Sequence, residues 1–593
     1  MVGREMTMKM LRSGMIAIGL ASATLTSGTA IAQSQSMAAH YGGDASQGDS
    51  IPTVLSDKER KHFAALFAAL DRQDWNEVRE RLQKNRSSVL YQTALAEFYV
   101  HANSPQVSAG QIADWFALGT HLPQSEQLGR LGVRRGLSSI PSFPRAQSFS
   151  RQPYAPKRIR PRSVVDGSLP SSTRSSILNA IKNDDPAGAH AILMEVDGQL
   201  SSAARAEWRQ KVAWSYYIEN NDTAALQLAE TVSEGSGAWV AEGEWVAGLA
   251  AWRLGYCALA GEAFASAAVK STNVELTAAS HYWAHRSLVR CREPGQAQGH
   301  LEAAAQYDET LYGMLASDQL GIEFARSATP QPFTENDWRS IADTYNVQVA
   351  AALVEIGRPA LADEVLRHQA RVGDPSDFEA LSRFARELGM PSTQLFMAHN
   401  APRGQRSDMS LRFPVARWQP RNGWRVDPSL AFAHALQESN FRAGAVSPAN
   451  ARGLMQIMPG TARDHNRSLN LGASYADLND PEVNLAYGQQ HLEMLRDSSA
   501  TQGKLPKIMA AYNAGLTPIT RWNYEINDQN DPLLWMESIP YWETRGYVAI
   551  VMRNYWMYER AAGVESPSRR ALAQGQWPSF PQPVRTRSAY LDR

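Results

Sequence analysis

The sequence predicts a mainly α protein, built as a long helical array followed by a smaller domain of short, capped helices. Three observations lead there. From about 53 to 400, segments rich in Ala, Leu, Glu and Arg alternate with short breaks, and strand-like alternation is scarce. A stretch at 401–426 with Pro402, Pro414, Pro420 and several Arg then interrupts that texture. Beyond it, about 427–562 carries capped short helices, Gly-rich loops and clustered aromatics. With 593 residues the chain is too long for one compact domain.

The elements follow in order. Arg4, Lys9 and Arg12 form a positive start, an apolar stretch runs from Met15, and Ala30-Ile31-Ala32 closes it before polar Gln33-Ser34-Gln35. That layout predicts a secretory signal peptide over 1–32. Its apolar run is much shorter than the roughly 18–20 residues of a membrane span. Residues 33–52 are Ser-, Gln-, Gly- and Ala-rich and read as a disordered mature N-terminus. The helical array occupies 53–400, interrupted by a Pro/Ser/Arg-rich loop at about 138–172 that contains Arg158-Ile159-Arg160-Pro161-Arg162. Within it, Trp245…Gly248…Leu254-Gly255 followed by Ala260…Ala263-Phe264 has a partner pattern in Ala351…Gly357-Arg358-Pro359-Ala360. Small residues sit where helices cross closely, and Gly or Pro-Gly marks the turn. This resembles tetratricopeptide-like helix pairs stacked into a superhelix. The tail, 563–593, is Pro-, Ser- and Arg-rich and reads as loosely structured.

Charge narrows the function. Lys+Arg and Asp+Glu both number 59, so the basic excess of a nucleic-acid binder is missing, as is strong docking on an anionic membrane. A neutral, sugar-rich polymer remains acceptable. The 16 Trp and 20 Tyr could stack on sugar rings, although most aromatics are expected in the core. The two cysteines, Cys257 and Cys291, are compatible with a disulfide or with two buried thiols. No Cys/His cluster has ligand spacing, so neither a metal nor an organic cofactor is implied.

Four segments carry chemistry. The first runs from Asp427-Pro428, a helix cap and first-turn proline, to Gln437-Glu438-Ser439. Glu438 falls in the last helical turn, where the partial negative charge of the helix end and burial both discourage ionisation. A carboxyl held protonated is what an acid working near neutral pH needs. The second is Ser447-Pro448-Ala-Asn450-Ala-Arg-Gly453-Leu-Met455-Gln456-Ile-Met458-Pro-Gly-Thr461. Gly453 suits a positive φ, Gln456 offers an amide to a sugar hydroxyl or acetamido group, and Met455 and Met458 offer soft apolar surface. The third, Ala510-Ala-Tyr512-Asn513-Ala-Gly515, ends a helix and projects Tyr512 and Asn513. The fourth is Glu537-Ser-Ile-Pro540-Tyr541-Trp542-Glu543-Thr-Arg545-Gly-Tyr547-Val.

Together these segments resemble the soluble lytic murein transglycosylases, whose pattern is E-S, then G-L-M-Q-I-M-P, then A-Y-N-A-G, then E-S-I-P-x-x-E-T-R-x-Y-V. The match spans about 427–552, and Phe413-Pro414…Trp418 resembles the family's entry to that domain. A weaker likeness over about 170–400 includes Tyr312-Gly313 and Leu320-Gly321. The resemblance implies an N-terminal α-superhelix of helix pairs and a small lysozyme-like catalytic domain, mostly α with some β. It implies Glu438 as the single catalytic acid/base. Ser447, Met455, Gln456, Met458, Tyr512, Asn513, Glu537 and Tyr541 are implied as saccharide-binding or groove residues. It implies cleavage of the bond between N-acetylmuramic acid and N-acetylglucosamine with formation of 1,6-anhydro ends. The partner would be peptidoglycan glycan strands in the periplasm. No nucleic acid or integral span is implied, and the helical repeats offer a surface for cell-wall synthesis or division proteins. Asn450 stands where the family often has Gly, Leu516-Thr517-Pro518 replaces Gly-Pro-Gly, and Tyr541-Trp542 is bulkier than usual.

Overall fold

A computed structural model describes residues 51–322, 331–469, 471 and 478–581. The expected signal peptide, nearly all of the expected disordered stretch after it, and the last residues of the tail lie outside the described residues. Helices account for almost every element. The one sheet among the described residues pairs Phe149–Arg151 antiparallel with Asn400–Pro402.

The helical array has two cores. Helices Asp57–Arg72, Trp75–Arg81, Tyr91–Val100, Ala109–Ala117 and Ser125–Arg134 pack with helices from Glu335–Ile341 to Pro391–His399. Leu66, Phe67, Trp115, Leu353, Leu366 and Phe384 are buried together there. Glu355 closes this body, because its carboxylate accepts the backbone N–H groups of Val54 and Leu55 at 2.6 and 3.2 Å. The N-terminal helices are therefore completed by chain that lies some 200 residues further on.

The middle of the array, from Ser171–Lys182 to Leu311–Gln319, stacks as consecutive helix pairs. Its buried side chains, including Trp208, Trp245, Phe264 and Trp283, share a continuous core with the C-terminal domain. Gly255 ends the helix Trp239–Leu254 in the left-handed region at φ +81°, where an L side chain would be strained. Cys257 and Cys291 form a disulfide between the start of helix Cys257–Lys270 and the end of helix Val274–Arg290. That settles the alternative left open by the sequence.

The stretch at 401–426 is well packed. Phe413, Ala416 and Val426 are buried, and Tyr558 Oη donates to Pro414 O at 3.1 Å. The segment after 562 differs from expectation. It forms helix Pro567–Ala573 and then an extended piece that bonds the edge of the domain: Leu505 N–H donates to Pro578 O, and Phe580 N–H to Gly503 O. Leu572 and Phe580 are buried, and Trp577 meets Trp535 edge-on at 5.8 Å. Proline and serine density reads as looseness in sequence, but three large apolar side chains in this segment find partners.

Candidate active site

The helix Pro428–Ser439 presents Glu438. Asp427 caps it by accepting the Ser429 N–H at 2.9 Å, and Pro428 occupies the first turn. Leu430, Phe432, Ala433 and Ala435 anchor it in the core. The helix stops abruptly, because Asn440 and Phe441 both adopt left-handed backbone at φ +51° and +58°. Asn tolerates that region, whereas Phe there costs roughly 1–2 kcal/mol. Burial of the Phe441 ring against Phe432, 5.9 Å away, offsets the cost. The reversal leaves Glu438 on the last helical turn with the chain turning away from it.

Opposite stands Tyr547 of the helix Trp542–Ala561, whose Oη donates to Glu438 Oε1 at 2.7 Å. The same Oη lies 2.8 Å from Nδ1 of His434, one turn earlier on the Glu438 helix and fully buried. Burial pushes the Glu438 carboxyl up to about 7, opposed by the Tyr547 hydrogen bond and assisted by the negative field of Glu543. Burial likewise pushes His434 down to about 3, so its ring is neutral at physiological pH. A neutral imidazole can accept from Tyr547 or donate to it. The three groups thus form a chain that serves either protonation state of Glu438.

The second motif forms a tight loop beside them. Gly453 has φ +75°, and a Cβ there would meet Asn484 Nδ2 and Leu478 O at 2.2 Å, so only glycine fits. Buried Asn484, from helix Pro481–Asp497, latches the loop: it accepts from Met455 N and donates to Arg452 O and Leu478 O. Tyr512 Oη donates to Met455 O at 2.8 Å, and its ring meets His434 at 4.5 Å. Among the described residues, β structure in this domain is confined to the bridges Val446–Arg452 and Arg452–Ile457 in the same loop, plus Lys504–Ser579 at the tail.

Residues 418–533 match the family model described as the Transglycosylase SLT domain. A soluble lytic murein transglycosylase of Escherichia coli K12 is 36% identical over 147 residues, 24% of this chain and 22% of that protein. A putative soluble lytic murein transglycosylase of Haemophilus influenzae is 30% identical over 281 residues, 44% of each chain. Residues 418–533 thus carry a Transglycosylase SLT domain, and the chain is similar to soluble lytic murein transglycosylases. These sequence matches cover less than half the length of those relatives. The fold likeness is broader. The crystal structure of the 70 kDa soluble lytic transglycosylase of E. coli superposes with a TM-score of 0.54 at 15% identity, over 88% of this chain and 99% of that one. An inactive Glu-to-Gln mutant of the Pseudomonas aeruginosa lytic transglycosylase gives 0.51 at 20% identity, over 86% and 90%. The architecture is an α-superhelix followed by the lysozyme-like SLT domain.

Of the residues expected around Glu438, Tyr512 feels its charge, and the others have local environments of their own. Ser447 is half-buried, and its Oγ accepts the Ala451 N–H at 3.0 Å. Gln456, at φ +49°, donates its amide to Gly453 O and Ala445 O, and its carbonyl oxygen has no partner among the described residues. Met458 is 42% exposed and Tyr541 46%, so both present apolar surface. Asn513 accepts from Thr544 Oγ1 at 2.7 Å, tying the third motif to the fourth. Asn450 adopts φ +66°, the conformation for which Asn can replace Gly.

Two expected saccharide contacts are corrected. Met455 is completely buried, its sulfur filling the space above Gly488, so it supports the loop from beneath. Glu537 is 8% exposed and accepts from Tyr312 Oη at 2.7 Å. Tyr312 belongs to the superhelix, so this buried contact of Glu537 joins the two parts of the molecule. Sequence reasoning missed three participants: Tyr547, His434 and Asn484. Tyr547 is the tyrosine of the E-T-R-x-Y-V motif, a signal that was available. His434 shares helical spacing with Leu430, Ala431 and Ala433, a core-facing position; it is buried there, and also polar in effect.

Proposed function

We propose that this chain cleaves the β-1,4 bond between N-acetylmuramic acid and N-acetylglucosamine in peptidoglycan strands, with Glu438 as the single catalytic acid and base. The carrying observation is a carboxyl whose pKa burial lifts to about 7, hydrogen-bonded by Tyr547 at the end of a capped helix. Protonated, Glu438 gives its proton to the glycosidic oxygen. Positive charge then develops at the anomeric carbon, and the substrate's own 2-acetamido group assists there. Glu438, now a carboxylate, accepts a hydrogen bond from Tyr547 and takes the proton of the muramoyl 6-hydroxyl. That oxygen closes on the anomeric carbon and leaves a 1,6-anhydro ring. An intramolecular hydroxyl needs no captured water and has an entropic advantage over one.

Hydrolysis of the same bond is the second reading, and the negative field of Glu543 at Glu438 is the observation that favours it. A hydrolase of this type uses two carboxylates. Product mass separates the two, because hydrolysis adds one water and anhydro-ring closure does not. Under the transglycosylase reading the products of purified sacculi are lighter by one water, and Glu543→Gln stays active. Hydrated ends together with an inactive Glu543→Gln variant would overturn it. The same reading places the mature chain in the periplasm, where its substrate lies. No helix among the described residues is long and apolar enough to cross a membrane.

A further inference from the structure

His434 lies one turn before Glu438 and has no access to solvent. Its ring packs against two tyrosines, Tyr512 at 4.5 Å and Tyr547 at 5.9 Å, whose own rings are stacked 6.5 Å apart. That packing fixes what each ring nitrogen meets. Nδ1 lies 2.8 Å from Tyr547 Oη, and Nε2 is buried with no hydrogen-bond partner among the described residues. The titratable groups around the ring come from four helices. They are Tyr547 on Trp542–Ala561, Tyr512 on Leu505–Ala514, His491 on Pro481–Asp497, and Glu438 on its own helix. Burial pushes His491 down to about 4 and His434 down to about 3, so both rings are neutral near neutral pH. A neutral imidazole has one N–H and one lone pair to place.

Counting protons separates the two ways of placing them. With the N–H on Nε2, a buried donor goes unpaired, which costs free energy. Nδ1 then needs the Tyr547 proton, and a hydroxyl has only one to give. Tyr547 would face Glu438 with lone pairs alone. The 2.7 Å contact would hold only while the acid proton sat on Oε1, and it would turn repulsive once Glu438 ionised. With the N–H on Nδ1, His434 donates to Tyr547 Oη and Tyr547 donates to Glu438 Oε1. This arrangement is unchanged by ionisation, because Oε1 accepts from Tyr547 whether or not Oε2 carries a proton. Oε2 has no hydrogen-bond partner among the described residues, and Glu438 is half-buried, so a proton there is free for transfer.

We infer that His434 is a positioning residue: its Nδ1–H turns the Tyr547 hydroxyl toward Glu438 Oε1 and so keeps the transferable proton of Glu438 on Oε2. This rests on the proposed reaction and adds to it a one-way relay that serves both the acid and the base step. Nitrogen NMR of the unmodified full chain, made with isotope-labelled histidine, tests it first. The His434 signals are those lost in His434→Asn. At neutral pH, hydrogen on Nδ1 and none on Nε2 supports the relay; the reverse, or a doubly protonated ring, overturns it. Kinetics on soluble glycan strands form the second arm. His434→Leu lowers kcat by about tenfold, the size of one hydrogen bond, and leaves KM within about twofold. It also moves the alkaline midpoint of kcat/KM upward, because a Tyr547 hydroxyl free to rotate stabilises the carboxylate less. His434→Asn, whose amide N–H donates from near the place of Nδ1, recovers part of the loss and brings the midpoint back. Equal losses in the two variants, an unmoved midpoint, or a rise in KM alone would make His434 a packing residue and overturn the proposal. Circular dichroism reports whether each variant folds; if His434→Leu does not, the NMR result decides. If the unmodified chain leaves the strands uncut, the peptidoglycan reading has failed, and the NMR still decides whether His434 donates to Tyr547.

Discussion

The dipeptide Glu-Ser stands at the C-terminal ends of two helices, with opposite results. Glu438-Ser439 closes helix Pro428–Ser439, and Glu537-Ser538 follows on helix Pro532–Glu537. At the first, the carboxyl meets one hydroxyl, Tyr547, and burial raises its pKa to about 7. At the second, the carboxylate accepts from Tyr312, and Ser538 contacts Tyr217 Oη at 2.8 Å and Arg253 Nη2 at 2.9 Å, all on the superhelix. Both serines also bond backbone carbonyls of their own helices, Ala435 and Leu534. What separates the pair is the neighbours. A carboxyl with one neutral donor keeps a proton to give. Glu537, bonded to Tyr312 with Ser538 on Tyr217 and Arg253, serves as a joint between the two parts of the molecule.

That contrast can be broken by matched substitutions. The largest effect is expected from Glu438→Gln: a folded protein with cleavage of sacculi reduced by roughly 10²–10⁴-fold or more, the contribution of a positioned general acid. Near wild-type turnover would remove Glu438 from its role. The same variant has a stability signature. Folded Glu438 titrates near 7, above the unfolded value of about 4.3, so the native state holds an extra proton between those limits. Wild-type stability therefore declines as pH rises from about 4.3 to about 7. Glu438→Gln gains relative to it over that window by up to about 3 kcal/mol, read by denaturant titration at pH 4 and pH 8.

The next effect concerns Tyr547. Under the proposed mechanism activity needs protonated Glu438, so kcat/KM is expected to fall on the alkaline side with a midpoint near 7. Tyr547→Phe removes the bond that holds that pKa down, so the midpoint moves to higher pH while kcat drops by about ten- to a hundredfold. An unchanged profile would make Tyr547 a packing residue only. Third, Met455→Ala costs about 2–4 kcal/mol of stability, as expected for a buried side chain over Gly488. Met458→Ala, at an exposed position, changes KM with little change in melting temperature. Fourth and smallest, Glu537→Gln and Tyr312→Phe each lose about 1–2 kcal/mol while kcat on sacculi persists. Loss of cleavage in Glu537→Gln without loss of stability would return that residue to the groove.

Much of this was legible in sequence. The cap at Asp427, the position of Glu438 on the last turn and the need for glycine at 453 follow from local rules that refer to a few neighbouring residues. The errors fell where partners come from far along the chain. Met455 and Met458 differ by three residues in one loop, yet only packing against Gly488 decides which is covered. Glu537 could not be placed without Tyr312, more than two hundred positions away. His434 sits on the stripe that helical spacing assigns to the core, and spacing cannot reveal that a buried imidazole touches the tyrosine which touches the acid. The tail was misread because proline density signals the absence of regular structure, not the absence of packing.

The first core has an implication for synthesis. Its two halves, around 55–143 and 333–401, are separated by nearly two hundred residues of intervening chain. At about 5–20 residues per second, the ribosome takes on the order of 10–40 s to traverse that gap. For that interval Leu66, Phe67, Trp115 and their neighbours lack the later helices that complete their burial. A nascent chain of this design is slow to compact at its leading end, so holdase chaperones that grip exposed apolar helices have a defined window in which to bind it.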